Sequence, residues 1–288
     1  MNDMLPSFLS EKIPLGKWVK VLVDFITDHF FDQLRAFSDG LGFFVDGLVN
    51  ILQVTPPLVL IAVICAIGFW LHRSWKLVIG TALGLGLIVN LGYWDRTVET
   101  IALVLFATVV SIVFGVPIGI AAARRRWLYT ALHPILDLMQ TIPTFVYLIP
   151  TLILFGLGMV PGLISTVIFA IPAPIRLTYL GISSVPRHLV EAGEAFGSTR
   201  LQLLFKVELP YAMPTIMAGV TQCIMLSLSM VVIAALVGAN GLGEPVVRAL
   251  NTVNIAKGFE AGLAIVIVAI VLDRILKQRE TPGSPTSH

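Results

Sequence analysis

Between Glu99 and Arg124 the chain runs for a full membrane-crossing length without one charged residue. Roughly 20 mostly apolar residues are enough to cross the hydrocarbon layer of a bilayer. The rest of the sequence agrees, with 57% of its 288 residues hydrophobic and only 12% charged. A soluble domain carries about 25% charged residues. This chain therefore cannot cover itself with polar surface, and the bilayer must be its main solvent. The expectation is an all-α integral membrane protein. A net charge of +2 offers no case for nucleic acid, and no basic run alternates with aromatics. Arg124, Arg125 and Arg126 close the apolar run and read as a membrane-edge anchor. Cys65 and Cys223 both lie in apolar segments, and no CxxC or Cys/His cluster marks a metal or a disulfide. No basic region followed by an apolar core opens the chain, so no cleavable signal peptide is expected.

Seven segments read as spans: about 54–71, 76–93, 98–123, 135–155, 160–180, 210–238 and 258–275. Six remain if the first two are misjudged. The fifth carries Pro161, Pro172 and Pro174 and is expected to be broken or kinked. Arg176, near its end, would snorkel to the interface. Basic residues set orientation. Seven spans put Arg73, Lys76, Arg124, Arg125, Arg126, Arg176, Arg187, Arg200, Lys206, Arg274, Lys277 and Arg279 on one side, 12 of the 19 basic residues. Most acidic residues fall on the other. The reading is N-terminus out and C-terminus in, with the 181–209 loop in the cytoplasm.

Before the first span, Lys20, Asp24, Asp28, Asp32 and Arg35 form a polar stripe at helical spacing within 17–37, with Trp18, Leu22, Phe25, Ile26, Phe30 and Leu34 on the remaining surface. This describes an amphipathic helix, either lying on the outer membrane face or packed on the bundle. The end of the chain, Thr281 to His288, is short and polar.

The 181–209 loop carries Arg187, His188, Glu191, Glu194, Arg200, Lys206 and Glu208. Each charge costs about 2.5–3.5 kcal/mol at a bilayer centre on insertion scales, so the segment must leave the hydrocarbon. It still has helical order. Ser184 and Pro186 are start signals, and Leu189, Ala192, Gly193 and Phe196 recur on one face. Arg187, Glu191 and Glu194 line the other. Gly197 sits where a helix ends in the left-handed conformation. Ser198 is a plausible N-cap for a second short helix with Leu201, Leu204 and Phe205, and Pro210 opens the sixth span. The unit is helix, sharp turn, helix, with small residues that admit a partner's backbone. Read alone, the loop could also be plain surface.

This pattern resembles the EAA loop of bacterial ABC importer permeases: Glu-Ala-Ala, three residues, Gly, nine residues, an aliphatic, one residue, Leu-Pro. Glu191, Ala192, Gly197, Val207, Leu209 and Pro210 match that spacing, and Gly193 replaces the second Ala. The runs Thr97–Thr100, Gly115–Gly119 and Gln140–Pro143 look like the start of a type I permease domain. Leu204–Pro210, Ala212–Gly219, Ser229–Ala234 and Gly241–Gly243 look like the glycine betaine/proline and choline branch. The resemblance implies a type I ABC importer permease fold in a bacterial inner membrane. It divides the chain into an N-terminal region 1–53, two accessory helices 54–96, a permease domain 97–276 with the coupling loop 181–209, and a tail 277–288. It implies that Glu191, Ala192, Gly193, Gly197, Leu209 and Pro210 shape a coupling helix in a groove of a cytoplasmic ATPase subunit. Arg187, Glu194 and Arg200 are contact candidates by position. It also implies an extracytoplasmic solute-binding protein and a second copy of the chain.

No phosphate-binding loop appears in the sequence, so ATP would be bound by the partner subunit and no cofactor is expected here. No catalytic motif or histidine cluster appears either. The few ionisable residues sit near predicted span ends, which argues against a proton or sodium relay. The expected solute path runs along Gln140, Thr144, Tyr147, Gln222 and Ser229, with Thr141, Thr221 and Ser227 nearby, although such residues also hydrogen-bond between helices. The cargo expectation is a quaternary ammonium osmolyte such as glycine betaine or choline. A permease of the same fold for an amino acid, a stand-alone secondary transporter and a non-transporting scaffold are the rival readings.

Overall fold

In the computed structural model residues 14–276 are described, and among them every regular element is helical. The helices are α1 (Leu15–Val54), α2 (Pro57–His72), α3 (Trp75–Asn90), α4 (Trp94–Arg124), α5 (Arg126–Thr141), α6 (Thr144–Phe155), α7 (Met159–Ala170), α8 (Pro172–Ser183), α9 (Arg187–Ala195), α10 (Arg200–Leu203), α11 (Leu209–Ala235), α12 (Gly243–Asn251) and α13 (Ile255–Leu276). The tail 277–288 lies outside the described residues.

The seven apolar segments resolve unequally. Four helices are long and apolar enough to cross a membrane: Trp94–Arg124, Met159–Ser183, Arg200–Ala235 and Ile255–Leu276. Two bent pairs, α1 with α2 and α5 with α6, reach that length and apolarity only when each is taken together, and the latter turns through 95°. Pro56 and Pro57 stand at the first bend and Pro143 at the second. A proline removes an amide donor and forces its predecessor out of the helical region, and Ile142 has ψ 131° accordingly. The segment at 76–93 yields α3, whose 16 residues rise only about 24 Å.

In the fifth span the expected break is present but slight: Met159–Ser183 runs as one 25-residue unit, interrupted at Ile171, directly before Pro172, where the backbone keeps helical angles (φ −59°, ψ −28°). Pro172 opens α8, where its missing N–H is no loss.

At the centre, α4, α7, α8 and α11 pack together. Small residues let them approach. A Cβ on Gly119 would lie 2.7 Å from the Ile175 carbonyl oxygen and 2.7 Å from Thr178 Cβ, so α4 and α8 meet almost backbone to backbone. Between α6 and α7 the Thr151 and Ser165 hydroxyls hydrogen-bond at 2.8 Å. The accessory helices α2 and α3 pack on each other and on α13, with Ile61, Cys65, Leu85, Ile88 and Val268 buried between them.

The helix expected at 17–37 continues to Val54, with non-helical angles at Phe30. Its polar stripe is exposed, and so are Trp18, Phe25 and Phe30. The C-terminal half docks instead: Val45 is fully buried against Ala107 and Leu163.

Helix directions alternate, which sorts the charges. Arg124, Arg125 and Arg126 close α4 at the end that carries α10, and Lys76 and Arg274 come together where α3 meets the end of α13. The other end holds Asp95, Arg96, Glu99, Glu244 and Arg248. There Arg96 reaches Glu244 at 2.8 Å and Glu99 at 3.3 Å, and the Leu242 amide donates to the Thr100 hydroxyl at 2.8 Å. These contacts pin α12 to the start of α4.

Candidate functional site

The polar loop folds into an elbow that follows from its sequence step by step. Pro186 precedes α9, which ends at Ala195. Gly197 then takes φ +78°. The Gly197 amide donates to the Glu194 carbonyl at 2.9 Å and the Ser198 amide to the Gly193 carbonyl at 3.1 Å. This pairing closes a helix with a left-handed residue and satisfies its last carbonyls.

The next cap is Thr199, not Ser198. Its hydroxyl accepts from the Gln202 amide at 3.3 Å while the Gln202 side chain accepts from the Thr199 amide at 2.9 Å. Reciprocal satisfaction of two orphan donors favours this position, and the spacing Thr-x-x-Gln was visible in the sequence. The second helix of the elbow is not free-standing either. After α10 a π-helical turn, Leu204–Glu208, runs directly into α11. Arg200–Ala235 is one 36-residue rod whose first turns belong to the elbow.

The two arms touch at Gly193, where a Cβ would lie 2.6 Å from Leu203 Cδ1. Below them Leu204 is buried with Ile182, Ala212 and Ile216, and Val116, Ile120 and Leu209 pack around this cluster. The elbow is thus seated on α4, α8 and α11. One polar clamp fixes it. The Arg124 guanidinium donates to the Arg200 carbonyl at 3.1 Å and to Glu208 at 3.2 Å. Glu208 is only 15% exposed. Arg124, expected to anchor the membrane edge, holds the elbow as well. A partner 84 residues away leaves no local signal in the chain.

The outer surface of the elbow is open. Arg187, Glu191, Ala192, Glu194, Gly197, Arg200 and Pro210 are exposed, while Gly193 and Leu209 are half-buried. The apolar face expected from Leu189, Ala192, Gly193 and Phe196 does not pack inward as a unit. Phe196 is 90% exposed, and Leu201 and Phe205 stand 65% and 62% exposed beside it. Periodicity gives which residues share a stripe, but what covers the stripe depends on neighbours. Three large apolar side chains thus stand outside the seated, capped elbow.

A family model described as the binding-protein-dependent transport system inner membrane component matches residues 115–278, which include the whole elbow. The chain belongs to this family. Among curated proteins this inner membrane component is 50% identical over 273 residues to the glycine betaine transport system permease protein OpuAB of Bacillus subtilis, covering 95% of each. It is 46% identical over 266 residues to the glycine betaine/carnitine transport permease protein GbuB of Listeria monocytogenes, covering 91% of this chain and 94% of the relative. To the glycine betaine/proline betaine permease protein ProW of Escherichia coli it is 42% identical over 273 residues, covering 95% and 77%. In three dimensions it resembles an inward-facing structure of the MetNI methionine ABC transporter, with TM-score 0.56 at 23% identity, covering 62% of this chain and 92% of the matched one. That likeness establishes the type I importer fold.

Within this permease the residues expected along a solute path are dispersed. Gln140, Thr144 and Tyr147 are half-buried around the α5–α6 bend, while Gln222 and Ser229 are exposed on α11. The Tyr147 hydroxyl donates to the Met139 carbonyl, so it braces the bend and leaves only its ring for a solute. The Ser229 hydroxyl donates to the Met225 carbonyl one turn back, at 3.0 Å. A polar cluster lies on α5, in which His133 is a partner of Asp137 legible from the i,i+4 spacing and Arg176 is one that the sequence did not show. Arg176 does not simply snorkel: it donates to Asp137 at 2.6 Å, and His133 lies 3.0 Å from the same carboxylate. Tyr129 and Tyr179 stack alongside at 3.5 Å. These contacts tie α5 to α8, across 39 residues for the ion pair.

Proposed function

We propose that this chain is the membrane-spanning permease subunit of an ATP-driven importer for quaternary ammonium osmolytes of the glycine betaine type. The single observation that carries the mechanism is the elbow. It is locally ordered by two caps and clamped by Arg124, yet it presents Phe196, Leu201 and Phe205 outward. A cytoplasmic ATPase subunit occupies that surface, with Glu191 and Glu194 at its polar rim. Because α10 and α11 form one rod, displacement of the elbow is delivered directly into a spanning helix that packs on α7, α8 and α4. Alternating access follows from that lever.

The elbow end, which also collects the arginines, faces the cytoplasm, placing the N-terminus outside and the C-terminus inside. The opposite end, with α12 locked to α4, receives solute from an extracytoplasmic binding protein. A second copy of the chain completes the path, with Gln140, Thr144, Gln222 and Ser229 among its polar lining. Support for the cargo comes from relatives at 42–50% identity, which carry glycine betaine in their names.

The test is reconstitution of the chain with its ATPase and binding protein in liposomes. ATP-dependent accumulation of labelled glycine betaine is expected, with none when the ATPase is omitted. Uptake by the chain alone would overturn the reading. Cysteines introduced at Thr199 and at Asn254 should be labelled from opposite sides of sealed vesicles, Thr199→Cys from the cytoplasmic one.

A further inference from the structure

Away from the elbow, a cleft of about 580 Å³ opens between α3 and α13 at the same end of the bundle. Its mouth is polar: His72, Ser74, Lys76 and Arg274 line it. Its depth is apolar, walled by Leu77, Ile267, Ile270 and Val271 over Gly80, and it closes at Gly84, where a Cβ would lie 2.9 Å from Ile267 Cγ2. Gly80 has nothing within 4 Å of where a Cβ would sit, so the wall is recessed there. The cleft is braced open by an N–H···O contact of 3.0 Å from the His72 ring to the Ile275 carbonyl, which joins the ends of α2 and α13.

The charge at the mouth is one-sided. Among the described residues neither Lys76 nor Arg274 makes an ion pair, although both line the same cavity. The α3 N-terminus also opens here, and Ser74 makes no side-chain capping bond to its first amides. Those amides and the helix dipole favour an anion. The depth of the site is marked independently. Trp70 and Trp75 flank the α2–α3 hinge at 79% and 69% exposed, and such tryptophans settle at headgroup level. From Lys76 to Gly84 the wall runs about 12 Å, much of the depth of one leaflet.

We propose that this cleft is a binding site for one anionic phospholipid, with phosphate at Lys76, Arg274, Ser74 and the α3 N-terminus and an acyl chain entering along Gly80. A basic pocket between spanning helices above an apolar slot has the chemistry of such a headgroup site. A bound lipid would bridge the accessory helices to α13 and so splint the periphery of the permease domain. The site is independent of the cargo assignment.

The test uses the full chain in nanodiscs with phosphatidylglycerol or phosphatidylcholine carrying a photoreactive acyl chain. Phosphatidylglycerol should label peptides from α3 and α13, and phosphatidylcholine should label them weakly. The double variant Lys76→Gln/Arg274→Gln should lower phosphatidylglycerol affinity about 30-fold, two charges at about 1 kcal/mol each. Gly80→Leu should block labelling while keeping the mouth intact. Arg125→Gln/Arg126→Gln, which alters cations outside the cleft, should leave labelling unchanged and serves as the control for general surface charge. Soluble glycerophosphoglycerol should fail to compete; full competition by it, or by inorganic phosphate, would mean a headgroup-only anion site and overturn the lipid assignment. Equal labelling by both lipids, undiminished labelling of the double variant, or cross-linking of the cleft to a second copy of the chain would overturn it too.

Discussion

Substituting Gly197 isolates backbone geometry from every other property of the elbow. The residue sits at φ +78°, and a Cβ built on it meets nothing within 4 Å. The first carbon of a side chain therefore has open space, and the cost of a β-branched residue there is chiefly conformational. An L-residue in the left-handed region costs about 1–2 kcal/mol, and strained positions of this kind reach about 3 kcal/mol. Taking about 2 kcal/mol, the native turn loses roughly 30-fold in population against alternatives. The turn has little reserve, because α9 has no fully buried residue and leans on the bundle through Leu203 and Val207. Gly197→Val should cut ATP-driven glycine betaine uptake at least about tenfold, with co-purification of the ATPase falling in parallel and the amount of protein in the membrane unchanged. Gly197→Asn is the decisive companion. Asparagine tolerates the left-handed region, so it should keep most of the activity. Wild-type uptake by the valine variant, or equal damage from asparagine, would refute the reasoning.

Three further outcomes are expected. Glu191→Lys, at an exposed position on α9, should abolish uptake and ATPase association while leaving insertion and thermal stability near wild type, since an exposed substitution changes folding by only about 0.5 kcal/mol. Arg124→Gln should loosen the elbow by about 1.5–3 kcal/mol, the worth of hydrogen bonds to a charged group, and uncouple ATP hydrolysis from uptake. The exchanged pair Arg124→Glu/Glu208→Arg should recover part of the coupling, and no recovery would show that the clamp is not an ion pair in function. Gly119→Leu should destabilise the bundle itself by about 1–3 kcal/mol or more, since its side chain meets the Ile175 backbone, and should appear as a lower melting temperature in detergent together with lost uptake.

The sequence by itself determined the solvent, the helical class and the position of the elbow. A stretch without charge from Glu99 to Arg124 admits few solutions in a bilayer, and charges between Arg187 and Glu208 cannot stay in hydrocarbon. The turn at Gly197 was legible too, because a glycine after an amphipathic run has a specific backbone use. What lay beyond the chain's local grammar was decided by packing. The prolines at 161, 172 and 174 read as breaks, yet the span persists through its one interruption because Pro172 falls at a helix start and Ile171 before it keeps helical angles. Phe196 belongs to the apolar stripe but remains outside, because Leu203 and Val207 already fill the contact at Gly193. The pairs Arg124–Glu208 and Asp137–Arg176 join residues 84 and 39 positions apart. Period and propensity act over one or two helical turns, whereas such pairs exist only once the helices have been brought side by side.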